Sequence, residues 1–343
     1  MKNICLRLAN RLADGSGAQV QRHLEVIAIA QYLNTLVVQG NISDIDTNPG
    51  DGINSPKEKK KHVQQINSHV IPRFADCHEE HKVLNSRLIN WLILNHLRNS
   101  RRLLKMVDQI LSLTKIHIAV NIHNTATIIR RNQFILEDLK RRMSRTFTQH
   151  ENRQTFLKVV AHIHGAKKLS KQMQSRFIDI DWFVDVLNEI KIQMDSLDIS
   201  FKVEVHTDIP EMPGQIWENQ LGLSSETKRI WIEEGLIDEN GKMRLAFLDL
   251  SGALQGLPNL SIVRNIPPTE VLNAFRTADI LITNKSSLSF VGAFLNDRGI
   301  IVYTDSWLPR LDSWLYISEQ PNTTEIQEFR NNLKTKILAR KNL

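Results

Sequence analysis

Apolar and polar positions alternate along the chain in short blocks. Residues 4–8 are dense in apolar side chains, residues 13–19 form a polar stretch with two glycines, and residues 20–33 repeat an apolar residue every third or fourth position. The pattern predicts strand, turn and helix, and residues 36–38 add a second strand. From 41 to 56, Asn, Asp, Gly, Ser and Pro dominate and the periodicity stops, which marks a loop. Residues 57–61 are a charge run suited to a solvated helix start. Residues 79–113 read as one strongly amphipathic helix, 116–122 as a strand and 130–145 as a basic helix.

A second alternation opens at 159–164 with an apolar strand. A helix at 179–194, a strand at 201–207 and a helix at 224–234 follow, with Gly235 placed to cap the last. Beyond the turn at Asn240-Gly241 the pattern gives a strand at 245–248, a short helix at 250–255, a strand at 261–263 and a helix at 268–276. The stretch from Thr277 to Tyr303 then reads strand, tight turn, helix, strand, and a polar helix closes the chain. Two successive β–α alternations predict an α/β protein of two Rossmann-like, doubly wound domains facing a cleft. The expected boundary gives residues 1–152 and 153–343, with a hinge near 149–155.

Composition fits this picture. The chain has 343 residues, 41% of them hydrophobic, enough for two domains with buried cores. The net charge of +7 and a pI near 9.4 suit an anionic partner. Two cysteines, Cys5 and Cys77, make no framework, and no apolar run approaches the roughly 20 residues of a membrane span. No signal-like apolar segment precedes Asp14-Gly15. The expectation is a cytoplasmic protein with reduced thiols and no membrane span.

Three places carry candidate chemistry. In the first, Ser286, Ser287 and Ser289 follow a buried strand at the start of a helix. Exposed first-turn amides and the positive end of the helix dipole bind phosphate, and hydroxyls would add donors. One serine there is ordinarily an N-cap, so both roles stay open. In the second, His162 and His164 lie two apart on a strand and share a face, with Lys167, Lys168 and Arg176 beyond them. His-x-His can bind zinc, but a further ligand is needed and neither cysteine has metal-type spacing. The pair either finishes a strand or joins those cations around a pyrophosphate. In the third, Gly15-Ser16-Gly17 lacks the third glycine of a dinucleotide fingerprint, since Val20 stands there. It is a tight turn or a close approach to a ligand, with Gln19 and Arg22 on the first helical turns.

The order of Gly15-Ser16-Gly17-Ala18-Gln19, then Ala161-His162-Ile163-His164-Gly165, then Thr277-Ala278-Asp279-Ile280-Leu281-Ile282 with Ser286-Ser287-Leu288-Ser289-Phe290 resembles the fucosyltransferase-like superfamily. That superfamily comprises two-domain GT-B glycosyltransferases that include the α1,2-, α1,6- and protein O-fucosyltransferases. The resemblance covers residues 1–40 and 155–315. It implies a donor, GDP-fucose or another nucleotide-diphosphate sugar, held mainly by the second domain, with the acceptor on the first. It implies that His162 helps hold the guanine nucleotide, that Asp279 contacts the base and that Ser286, Ser287 and Ser289 contact phosphate. The family's diphosphate-gripping arginine is replaced by His164, and the asparagine of its N-terminal loop by Ala18. An imidazole with a pKa of about 6.5 is only partly charged at pH 7 and lacks the guanidinium fork. Lys167, Lys168 or Arg176 would supply the missing charge.

The expected function is transfer of a sugar from the donor to a hydroxyl of a glycan or protein, without a metal or other cofactor. Asp44-Ile45-Asp46 and Asp179-Ile180-Asp181 have metal-motif spacing but fall on a loop and a helix start. Asp14, nearest the expected cleft, is the candidate general base. One alternative is a catalytically inactive nucleotide- or glycan-binding relative. Another is a basic nucleic-acid-binding protein using Arg98, Arg101, Arg102 and Lys105, Arg130 and Arg131, and Lys140, Arg141, Arg142 and Arg145. An aromatic content of 6% leaves few stacking platforms for the latter.

Overall fold

The computed structural model describes residues 3–8, 15–38, 42, 45, 53, 55–70, 82–84, 87–114, 116, 118–144, 156–165, 174–218 and 225–341. By internal contacts the chain divides into two units. The first is Met1–Leu12, Ala18–Ile45 and Val63–Thr148; the second is Ala13–Gly17, Asp46–His62 and Gln149–Leu343. The second unit therefore gathers two short pieces from the first third of the chain.

In the first unit β1 (Ile4–Leu8), β2 (Leu36–Val38), β3 (Lys82–Leu84) and β4 (Ile118–Ile122) pair in parallel in the order β2-β1-β4-β3. Their helices are α1 (Ser16–Leu33), α2 (Pro56–Gln65), α3 (Arg87–Asn95), α4 (Leu97–Thr114), α5 (Thr125–Arg131) and α6 (Phe134–Ser144), of which α1 and α2 begin in the second unit. Ile4, Cys5 and Leu6 are fully buried, as are Leu24, Ile27 and Ile29 of α1. Cys5 is disulfide-bonded, which corrects the expectation of reduced thiols; Cys77 lies outside the described residues.

Three expectations fail here. Helix α1 starts at Ser16, not at residue 20, so Ser16 and Gly17 are helical. The stretch 79–113 holds β3 and two helices. Helix α3 ends where His96 N–H donates to Leu92 O, and a new helix starts with Ser100 N–H on His96 O. The basic helix at 130–145 likewise divides at Asn132, whose side chain donates to Ile128 O at 2.9 Å.

The second unit is built on β5 (Leu157–Ile163) and α7 (Ile180–Ser196), β6 (Phe201–Thr207), a hairpin of β7 (Ile216–Glu218) and β8 (Lys242–Arg244), and α8 (Ser225–Glu233) between the hairpin strands. It continues with α9 (Leu250–Ala253), β9 (Leu260–Val263), α10 (Pro268–Arg276), β10 (Ile280–Ile282), α11 (Ser287–Leu295), β11 (Ile300–Tyr303), β12 (Leu315–Tyr316) and α12 (Thr323–Lys341). Six strands pair in parallel in the order β12-β11-β10-β5-β6-β9. Residues 245–248, expected as a strand, lie outside the sheet because Lys242–Arg244 pairs with Ile216–Glu218, and Leu245 N–H ends that ladder on Gln215 O.

Ile280, Leu281 and Ile282 are buried on both faces, which is why a continuous apolar run forms the middle of this sheet. Trp182, Phe183, Val186, Leu187, Ile190 and Met194 turn one face of α7 onto it. Helix α12 buries Phe329, Leu333 and Ile337 at helical spacing, and Arg330 pairs with Glu189 of α7 at 2.8 Å. Helix α11 is apolar on nearly every side and correspondingly buried. Gly292 lets it approach α10: a Cβ there would fall 2.5 Å from the Phe275 ring.

Candidate functional site

The strand order fixes where a ligand can be met. From β5 the chain moves one way through β6 to β9, then returns to β10 on the other side of β5 and runs outward through β11 to β12. The winding reverses between β5 and β10. In open parallel sheets the crevice lies beyond the carboxyl ends of the strands at such a reversal. The two segments that leave those ends are His164-Gly165 and Thr283 to Ser286, and α11 begins immediately after the second.

The start of α11 is locked by side chains. Ser286 is the N-cap, and its Oγ accepts the Ser289 N–H at 3.1 Å. Ser289 is fully buried; its Oγ accepts the Asn284 N–H at 3.1 Å and lies 2.5 Å from His162 Nδ1. Burial first, then the nearby His164, hold the His162 pKa down to about 3, against a weaker upward pull from Asp208. Burial keeps the ring neutral, and its Nδ1 shares a hydrogen bond with the Ser289 hydroxyl. The three serines thus divide: Ser286 caps, Ser289 ties the helix to β5, and Ser287 stays half-exposed with its hydroxyl at the first turn. By helix geometry the N–H groups of Ser287 and Leu288 have no acceptor within α11. Lys285, beside them, pairs with Glu319.

Around the end of β5, Asp208 was missed by the sequence reading. It follows β6; its Oδ1 accepts the Gly165 N–H at 2.7 Å and its Oδ2 stands 2.7 Å from His164 Nδ1, an ion-pair approach when the imidazole is protonated. Its position directly after a well-patterned strand was the available signal, because every strand of such a sheet delivers its next residue to the same edge. The His164 ring also packs on Phe177 at 5.5 Å between centroids, and is 24% exposed. Arg176, the neighbour of Phe177 in a 3-10 turn, is exposed. Two buried acceptors at this edge, Asn284 Oδ1 and Thr304 Oγ1, have no hydrogen-bond partner among the described residues. Nor, among those residues, does any group of three His, Cys, Asp or Glu gather that could hold a metal ion.

The glycine stretch reaches the same corner within the second unit. A Cβ on Gly17 would lie 2.5 Å from Leu288 N and 2.7 Å from its Cα. Glycine is needed here for close approach rather than for a turn. Ser16 Oγ is 3.1 Å from His62 Nε2, and His62 Nδ1 is 3.2 Å from Thr269 Oγ1 at the start of α10. Burial lowers the His62 pKa to about 4.

The structure therefore brings together Gly17, His162, His164, Ser286, Ser287 and Ser289. Gly15 precedes α1 and is half-buried. Gln19 and Arg22 belong to the first unit, where the Arg22 charge acts on the buried Glu25. Asp14, Lys167 and Lys168 lie outside the described residues. Asp279 is a correction. It precedes β10, so it stands at the amino edge of the sheet, away from the serines. Its carboxylate accepts Lys158 N–H at 2.8 Å and Arg340 Nη2 at 2.5 Å, which fastens α12 to the sheet.

No known family profile matches the chain, and no curated protein matches it in sequence. Among solved structures it is similar to POFUT1 in complex with GDP, at 12% identity over 86% of this chain and 96% of that one, with a TM-score of 0.34. It is also similar to the E. coli heptosyltransferase WaaC with ADP-2-deoxy-2-fluoro heptose, at 10% identity over 99% and 100%, with a TM-score of 0.35. A third is the NodZ alpha-1,6-fucosyltransferase soaked with GDP-fucose, at 10% identity over 86% and 93%, with a TM-score of 0.29. These neighbours are GT-B glycosyltransferases.

Proposed function

We propose that this protein transfers a sugar from a nucleotide-diphosphate donor, GDP-fucose in the first instance, to a hydroxyl of a glycan or protein. The observation that carries the reading is the start of α11, which lies where the sheet reverses its winding and presents the half-exposed Ser287 at its first turn. Such a corner suits a phosphate. The acceptor oxygen attacks the anomeric carbon, the bond from that carbon to the phosphate oxygen breaks, and the electron pair leaves with the diphosphate. The acceptor proton passes to a base, for which Asp14 remains the candidate. Fixed amides and hydroxyls stabilise the charge that builds on the leaving oxygens and need no rearrangement to do so.

His162 braces this corner through Ser289. His164, beside Asp208, supplies a donor to the diphosphate in place of an arginine, with Arg176, Lys167 and Lys168 as further cations. Asn284 Oδ1 and Thr304 Oγ1 are acceptors for donor groups of the bound ligand. The mechanism needs no metal.

The test is turnover. The purified chain is incubated with a panel of GDP-, UDP- and ADP-sugars, with and without a chelator, and released nucleoside diphosphate is measured. Release from one donor that is unaffected by the chelator and lost in Ser287→Leu is the expected result. Nucleotide binding without release from any donor would instead favour an inactive binding relative.

A further inference from the structure

Helix α4 carries two apolar faces. The inner one buries Leu97, Ser100 and Leu104, and on the same side Asp108 accepts the Asn3 N–H at 2.8 Å. The opposite face carries Leu103, Met106, Ile110 and Leu113, which follow one another at helical spacing and form one stripe. Their exposures are 40%, 60%, 62% and 86%. A helix of this kind ordinarily turns polar residues to water on its outer side. Here four large aliphatic side chains stand there instead.

The flank of the stripe is cationic. Arg98, Arg101, Arg102 and Lys105 are all exposed, and the helix's single carboxylate, Asp108, is turned inward. The Arg98 guanidinium lies 5.8 Å over the Phe134 ring. Trp91, 53% exposed, sets its ring edge-on to His96, the residue before α4. A nucleic acid would use the cations but has no use for the aliphatic stripe. A second copy of the helix would bring more cations and no carboxylate to meet them. Aliphatic side chains beside a cationic row, with an exposed tryptophan nearby, match the interface of an anionic bilayer.

We propose that α4 docks on an anionic lipid surface. Leu103, Met106, Ile110 and Leu113 enter the boundary between headgroups and acyl chains, while Arg98, Arg101, Arg102 and Lys105 meet the phosphates. This is attachment in the plane of the surface: among the described residues no helix is long and apolar enough to cross a membrane. The inference stands independently of the donor site.

The test is co-sedimentation of the full chain with vesicles of pure phosphatidylcholine, and with vesicles containing phosphatidylglycerol as a third of the lipid. Binding only to the second, weakening with salt, is the expected result. The pair Met106→Glu and Ile110→Glu weakens it at least about tenfold. The pair Arg101→Gln and Arg102→Gln weakens it about thirtyfold, roughly fivefold per cation removed. All four positions are exposed, so circular dichroism and the melting temperature stay unchanged. Absence of binding, equal binding to both vesicles, or wild-type binding by either double variant would overturn the proposal. So would a concentration-dependent dimer, seen by light scattering, that Met106→Glu and Ile110→Glu abolish.

Discussion

Replacing Gly17 with alanine sets two physical effects of opposite sign against each other. Gly17 sits in the first turn of α1, and glycine costs a helix up to about 1 kcal/mol relative to alanine. Propensity alone therefore predicts that Gly17→Ala stabilises the protein. The structure predicts the reverse. The added Cβ would stand 2.5 Å from Leu288 N and 2.7 Å from Leu288 Cα, about 1 Å inside ordinary contact. The obstructing atoms are backbone, held by the Ser286 cap and by the Ser289 bond to His162, so they cannot swing aside. Overpacking of this kind costs about 1–3 kcal/mol. The net is a loss of up to about 2 kcal/mol, or a fall of a few degrees in melting temperature. Tryptophan-monitored thermal and urea unfolding would measure it. Nucleotide affinity should fall as well, because the first turn of α11 has to shift. A variant that gains about 1 kcal/mol and binds nucleotide unchanged would refute the close approach of Gly17 to α11.

Asp279→Asn should cost about 1–3 kcal/mol of stability by loosening Lys158 and Arg340, while nucleotide affinity stays within about twofold; loss of affinity with stability intact would return Asp279 to the binding edge. Stability should also fall in mild acid. His62 and His162, with folded pKa values near 4 and near 3, remain neutral where the unfolded chain takes up protons below about pH 6.5. Their contribution is complete above that value and is lost as the pH falls towards 4 and then 3, with a slope of about 1.4 kcal/mol per pH unit for each ring. Urea midpoints between pH 8 and 4 would show this slope, reduced in His62→Gln, and a flat profile from pH 7 to 5 would contradict it.

Local pattern was enough where one force dominated. The strand at 201–207 and the helix at 268–276 match their expected spans because alternating burial fixes the first and Pro268 at the opening turn fixes the second. It failed where a distant partner decided. Nothing near Lys82 announces that residues 82–84 will pair with Ile118–Val120. The apolar run at 245–248 looked like a strand, yet the hairpin takes the residues just before it.

The site divides in the same way. Ser286, Ser289 and His162 were legible as polar groups at a helix start and a strand end. Their bonding to one another was not, because it depends on β10 lying beside β5, and alternation alone does not give strand order. Asp279 was assigned to the base by resemblance, but it sits at the opposite end of the strand from the serines. Gly17 was read either as part of a turn or as a close approach to a ligand, because glycine serves both, and only the position of Leu288 shows that the close approach is to the chain's own backbone.

Calorimetric titration with GDP and with guanosine tests most directly whether the first turn of α11 holds a diphosphate. Saturable binding of GDP, at least about tenfold weaker binding of guanosine, and loss of that preference in Ser287→Leu are the predicted results. Equal affinity for GDP and guanosine, or an unchanged preference in Ser287→Leu, would contradict it.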